Sequence, residues 1–367
     1  MMTPKHDNAF GALRLLFASL VIVSHVPELL DGNRDRELLT GLTGTTSFGE
    51  LAVDGFFIIS GYLITASFLN SRSALSYLGK RSARIYPAFI AASLFCLLVA
   101  APLAGARLEH GLDRTVVAAV MRMAVLARPM IAGAFPGQHY GDWTTSLNGA
   151  MWTIQYEFAC YLIVIAFARL GLLRRPALLL SSAILCLAAS RAVPADWMGQ
   201  LSRPALLPAA PAAGIRLVGM FLTGASFHVL RHRIPFGRAP MLLAAVGLAV
   251  TLPIAPIADI GIAVCGGYLM IAGAQLGGST WLARINNRND ISYGVYLYAW
   301  PVQRLFTHLF AVTDPLLLGL LTWTAAIALG WASWLLVERP VMRLIRRRAQ
   351  ESIAPEISDL VHMSPST

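Results

Sequence analysis

Apolar residues in this chain run in long blocks. Ten blocks qualify as candidate spans, roughly 10–30, 51–69, 86–104, 148–168, 177–194, 212–230, 240–256, 259–277, 291–310 and 316–337. A membrane helix needs about 20 mainly apolar residues to cross the hydrocarbon layer. The pattern therefore predicts an all-α integral membrane protein with about ten transmembrane helices. A weaker apolar stretch, about 115–132, is interrupted by Arg122 and Arg128. It is expected in the membrane interface or in a long loop, as an amphipathic helix. The first block has no small-residue cleavage pattern and reads as an anchor, not a signal. No internal repeat or second, soluble domain is evident. Residues 1–345 are expected to form one polytopic membrane domain. Residues 346–367 are polar, hold Pro355 and Pro365, and are expected to be a disordered cytoplasmic tail.

Composition agrees with the blocks. Of 367 residues, 56% are hydrophobic and only 13% charged, against about 25% charged in a soluble domain. The net charge of +10 could suggest nucleic acid. The apolar content argues against that partner, because basic loops at a cytoplasmic membrane face give the same balance. With the N-terminus inside, inner segments carry 18 Lys and Arg and the longer outer loops carry 8. Both termini are therefore expected in the cytoplasm. Cys96, Cys160, Cys186 and Cys265 each lie in an apolar stretch without a CxxC pair, so they read as buried free thiols. No cluster has metal-ligand spacing, and no metal is expected.

Against this apolar background a few ionisable groups stand out. Arg14 and His25 are 11 residues apart in the first block. At about 100° and 1.5 Å per residue they share one helix face, about 16 Å apart along the axis. Intramembrane ionisable groups usually face a cavity. A histidine is the side chain best suited to proton transfer near neutral pH. The plainer alternatives are that Arg14 snorkels to headgroups and His25 is a satisfied polar residue. Asp54, entering the second block from outside, falls at a depth similar to His25 and could orient it, or could simply cap its helix. Ser60 and Gly61 could permit close helix packing or leave room for a ligand. Arg81 and Arg84, three apart, share a helical face. Arginine pairs bind phosphate well, but every inner loop is basic, and on spacing alone ordinary positive-inside charge is the favoured explanation. Glu157 lies near mid-membrane, where a carboxylate needs a partner. Asn148, Trp152 and Tyr156 precede or flank it and could be interfacial anchors.

Taken in order, these segments resemble the acyltransferase-3 family of integral membrane acyltransferases. Arg14 and His25 match the first-helix Arg-x10-His. "VDGFFIISGYLIT" is similar to the second-helix block, and "RSARIYP" to the Arg-x-x-Arg block with its Tyr-Pro. "NGAMWTIQYEFACYL", "ISYGVYLYAWPV" and "VERP" follow in family order. One departure is Ala299, where members often have histidine. The resemblance implies a multi-pass protein of the bacterial inner membrane. It would move an acyl group, most often acetyl, from cytoplasmic acyl-CoA to a hydroxyl of an extracytoplasmic glycan or lipid-linked saccharide. Acetyl-CoA would be donor substrate, with no permanently bound cofactor. Membrane lipids and polysaccharide assembly proteins are further candidate partners. On this reading His25 is general base or transient acyl carrier, Asp54 orients it, and Glu157 positions the acceptor or pairs with a buried cation. Arg14, Arg81 and Arg84 would bind CoA phosphates, and Asn148, Trp152 and Tyr156 the acceptor. A proton-coupled secondary transporter and a non-catalytic export partner are the alternatives. The transporter reading lacks an inverted repeat in its support.

Overall fold

The computed structural model describes residues 8–106, 112–131, 134–135, 146–193, 210–287 and 289–351. Among them the architecture is all-helical, with no named strand and one isolated bridge between Met130 and Ser146. Each of the ten apolar blocks coincides with a helix. Seven are long and apolar enough to cross a membrane: α1 Phe10–Asp31, α3 Phe48–Leu69, α4 Ala74–Leu103, α6 Gly149–Arg169, α8 Pro211–Leu230, α10 Ala258–Ser279 and α12 Pro315–Ile345. Two more are apolar but shorter, α7 Pro176–Ala192 and α9 Arg238–Thr251. The tenth, α11 Ser292–Phe310, carries Gln303, Arg304 and His308. The small α2, Leu38–Thr43, lies in the first connection. The interrupted stretch forms α5, Leu112–Ala124, which exposes Val116, Val117, Val120 and Met121 along one side. α12 runs on without a break to Glu351, past the expected start of the tail; residues 352–367 lie outside the described residues.

α1 packs against α3, α11 and α12, and α3 packs against α8. Small residues set these distances. A Cβ on Gly61 would sit 1.9 Å from the Phe221 carbonyl oxygen, and one on Gly224 would sit 1.9 Å from that of Ile58. The α3 and α8 backbones therefore touch at two reciprocal points. In hydrocarbon, such close van der Waals packing replaces the hydrophobic drive between helices. Both readings of Ser60 and Gly61 hold, one for each residue: Gly61 seats α8, and Ser60 lines a cavity. α11 and α12 cross in the same way at Gly294 and Gly330. The outward faces stay apolar; Leu243 on α9 and Leu316 on α12 are 74% and 84% exposed.

α1 and α11 run parallel. Near its start, α1 reaches Asp290 through Arg14; eleven residues on, His25 meets Trp300, ten residues past Asp290. Matching intervals on two helices mean the same direction and register.

Gly61→Ala places a methyl against backbone that cannot yield. It is expected to destabilise the protein by about 3 kcal/mol, at the upper end for overpacking. Ser60→Ala, one residue earlier, should stay within about 0.5 kcal/mol. Thermal unfolding of both variants in the same detergent checks the contrast.

Candidate active site

A cavity of about 890 Å³ opens among α1, α3, α4, α6, α11 and α12. Its wall on α3 runs from Val53 to Ile64, eleven residues, or about 16 Å of helix. Arg14, Arg81, Arg84 and Glu157 all line it. Four nominated residues thus share one space.

The arginines are not alike. Asp290, just before α11, accepts from Arg84 Nη2 at 2.6 Å and from Arg14 Nη1 at 3.1 Å, both on Oδ2. Its Oδ1 accepts from the Ser292 hydroxyl at 2.6 Å and from Asn286 Nδ2 at 2.9 Å. Burial alone would push this carboxyl up, but Arg84 and Arg14 hold it down at about 2. Arg84 also donates to Glu338 Oε2 at 3.1 Å and lies 5.7 Å from the rings of Tyr293 and Trp334. A π-helical turn, Trp334–Glu338, lets α12 turn both Trp334 and Glu338 toward Arg84. Such turns recur at functional sites. Arg81 has no carboxylate among the described residues; its Nη2 donates to the Ser67 hydroxyl at 3.2 Å.

His25 lies beyond the cavity. Its Nδ1–H donates to Glu28 Oε2 at 3.0 Å, and Glu28 Oε1 accepts from Arg34 Nη2 at 2.6 Å. The ring meets Trp300 edge-on, centroids 4.6 Å apart. Trp300 and Tyr296 are four apart on α11, so they share a face. Tyr296 lines the cavity and Trp300 touches His25. The cavity's Tyr296 wall and the imidazole are thus about one helical turn apart, about 6 Å.

The expected Asp54–His25 pair is not formed. Asp54 is fully buried and accepts from Arg216 Nη1 on α8 at 2.7 Å. Arg216 and Arg191 both reach Asp259, extending the ladder to α7 and α10. The reason is electrostatic. In a low-dielectric layer a full guanidinium charge holds a carboxylate more strongly than a neutral imidazole does. Glu28, three residues along the same helix, takes the orienting place. Sequence spacing could have found it, because i and i+3 are neighbours on a helix. Asp290 had no such signal, lying 276 residues from Arg14.

Glu157 accepts from the Tyr161 hydroxyl at 2.7 Å and makes no ion pair among the described residues. Asn148 is buried and donates to the Leu297 carbonyl at 2.6 Å. Gly149 beside it admits the Trp300 ring, which would lie 2.5 Å from a Cβ there. Trp152 and Tyr156 stack edge-on at 5.9 Å, and Tyr156 occupies the space left by Gly214. None of the three lines the cavity. Trp300 Nε1, beside His25, and Asn148 Oδ1 and Gln303 Oε1 are buried without hydrogen-bond partners among the described residues. A donor and two acceptors there suit a hydroxyl-bearing molecule.

Residues 7–337 match the acyltransferase-3 family model, described as an acyltransferase domain. The chain belongs to that family. It is an integral membrane acyltransferase. It is 28% identical over 351 residues to a protein named "O-acetyl transferase" of Shigella phage Sf6, covering 91% of this chain and 95% of that one. It is also 28% identical over 367 residues to "Nodulation protein 10" of Rhizobium leguminosarum bv. viciae, with 92% and 94% covered. A shorter match, 28% over 130 residues, joins 35% of the acyltransferase to 30% of "Acyltransferase MdmB" of Streptomyces mycarofaciens. No solved structure matches.

Asp290→Asn would leave the half-buried Arg14 without a carboxylate and Arg84 with Glu338 alone, and should cost the acyltransferase about 3 kcal/mol, the low end for a broken buried pair. Because the folded carboxyl is depressed, that contribution is complete above its unfolded value near 4 and disappears as pH falls through about 2. Melting curves of wild type and variant should therefore differ by a constant amount from neutral pH down to about 4, and converge only below.

Proposed function

We propose that this acyltransferase is an O-acyltransferase, most simply an O-acetyltransferase, of the bacterial inner membrane. All ten apolar helices would span, with both termini in the cytoplasm. The basic inner segments support that orientation, and α7 and α9 would cross as short or tilted helices. An acyl-CoA enters the cavity from the cytoplasmic side, its phosphates among the basic residues there. Its pantetheine arm runs along the α3 wall toward Tyr296. A hydroxyl of a glycan or lipid-linked saccharide waits at the opposite end, beside His25, Trp300 and Asn148.

His25 then serves as general base. Glu28 accepting from Nδ1–H leaves Nε2 unprotonated and turned to its task, the logic of an oriented imidazole. Nε2 takes the hydroxyl proton as the oxygen attacks the thioester carbonyl. The carbon–sulfur bond breaks, an ester forms, and the thiolate leaves and is reprotonated. Asp54, held by Arg216, supports the outer half of α3 and has no part in proton transfer. The single observation carrying this reading is the Glu28–His25–Trp300 arrangement about one turn from a basic, membrane-embedded cavity. One relative's name, "O-acetyl transferase", favours acetyl as the group moved.

The test is thiol release from acetyl-CoA by membranes carrying the wild-type chain, with extracted bacterial glycans as acceptor. Wild-type release should depend on added glycan. His25→Ala at matched expression should lose about 10²–10⁴-fold, the range for a removed base. Glu28→Gln should lose about 10²-fold or more while His25 remains. Equal release from wild type and His25→Ala would contradict the mechanism.

A further inference from the structure

Six cations line the cavity: Arg14, Lys80, Arg81, Arg84, Arg339 and Arg343. Two of them are already engaged. Arg14 and Arg84 share Asp290 Oδ2, and Arg84 also holds Glu338. An external phosphate would have to compete with those carboxylates. The cavity's other acidic residue, Glu157, is held by the Tyr161 hydroxyl. The remaining four cations form no ion pair among the described residues. Arg81 donates to the Ser67 hydroxyl, and its Nε is buried without a hydrogen-bond partner among the described residues.

Their placement is ordered. Arg339 and Arg343 are four apart, so they share one face of the helix that follows the Trp334–Glu338 turn. Lys80 and Arg81 lie on α4, which packs against that helix. Lys80 and Arg343 are exposed, whereas Arg81 and Arg339 are half-buried. Four like charges bordering one space repel each other unless an anion joins them. Positive-inside bias accounts for basic residues at this face. It does not require them to line a cavity that also contains Glu157 and Tyr293. A coenzyme A molecule carries a diphosphate and a separate phosphomonoester. Guanidinium forks bind such groups through paired, charge-assisted hydrogen bonds.

We propose that Lys80, Arg81, Arg339 and Arg343 hold the phosphates of the acyl donor, and that Arg14 and Arg84, clamped by Asp290, are a brace for the cavity wall. This assignment rests on the acyl-CoA reading above. It moves the phosphate site off Arg14 and Arg84 and onto α4 and the last turns of α12.

The experiment is equilibrium binding of coenzyme A to the full chain in neutral maltoside detergent, which adds no anionic headgroup of its own. Arg339→Gln/Arg343→Gln should bind at least tenfold more weakly than wild type, with a shallower salt dependence. Arg339→Lys/Arg343→Lys keeps both charges and should recover most of the affinity. Should the double glutamine variant fail to fold, Arg343→Gln alone, at the exposed mouth, should still weaken binding about threefold or more. Unchanged affinity in the folded variants overturns the assignment and leaves the acyl-CoA reading standing. Wild-type protein that does not bind coenzyme A overturns both. Unchanged affinity together with loss of co-purified phosphatidylglycerol assigns the arginines to lipid headgroups and likewise overturns the proposal.

Discussion

One carboxylate oxygen, Asp290 Oδ2, sits between two guanidiniums from two helices. Through Arg14 it holds α1, through Arg84 it holds α4, and Arg84 passes the connection to Glu338 on α12. Two cations face two carboxyls across this cluster. Each would be costly alone. Asp290 lies just before α11, so the same interaction also fixes where that helix starts relative to α1. The parallel register of α1 and α11 follows. Trp300 then arrives beside His25, and Tyr296 falls one turn below it.

This arrangement separates two kinds of chemistry along one axis. At one end, the cavity is basic and its wall charges are either clamped or free. At the other, the imidazole is hydrogen-bonded to Glu28 and meets the edge of Trp300. Tyr296 stands between, bonded to Thr153 at 2.8 Å. A thioester delivered along the cavity and a hydroxyl arriving from the far side would meet near that tyrosine. The backbones of α3 and α8, and those of α11 and α12, are in direct contact through glycines on both sides.

Much of the fold was legible because hydrocarbon imposes so strict a code. Every apolar block became a helix, and the stretch broken by Arg122 became an amphipathic one. The α3–α8 contact was half legible in Gly61; its partner Gly224 had no visible signal. In the site, Arg14 and His25 shared a face as their spacing requires, and Arg81, Arg84 and Glu157 converged on the same cavity. Pairing was where sequence reasoning failed. Asp54 was matched to His25 on depth alone, but depth cannot tell which neighbouring helix presents a guanidinium, and Arg216 does. Glu28 was overlooked because a carboxylate near a helix end looks like ordinary surface. Asp290 and Glu338 were overlooked because they acquire meaning only when distant helices pack. Local spacing constrains faces; partners across the bundle come from tertiary packing.

The proposed mechanism requires the donor to enter from one membrane face and the product ester to leave at the other. The most direct test uses sealed inverted membrane vesicles, with glycan acceptor trapped inside and acetyl-labelled acetyl-CoA supplied outside. The account predicts labelled glycan in the lumen and free thiol in the outer medium, both absent with His25→Ala. Labelled glycan formed only when donor and acceptor share the outer medium would contradict it, because the site would then open to one face alone.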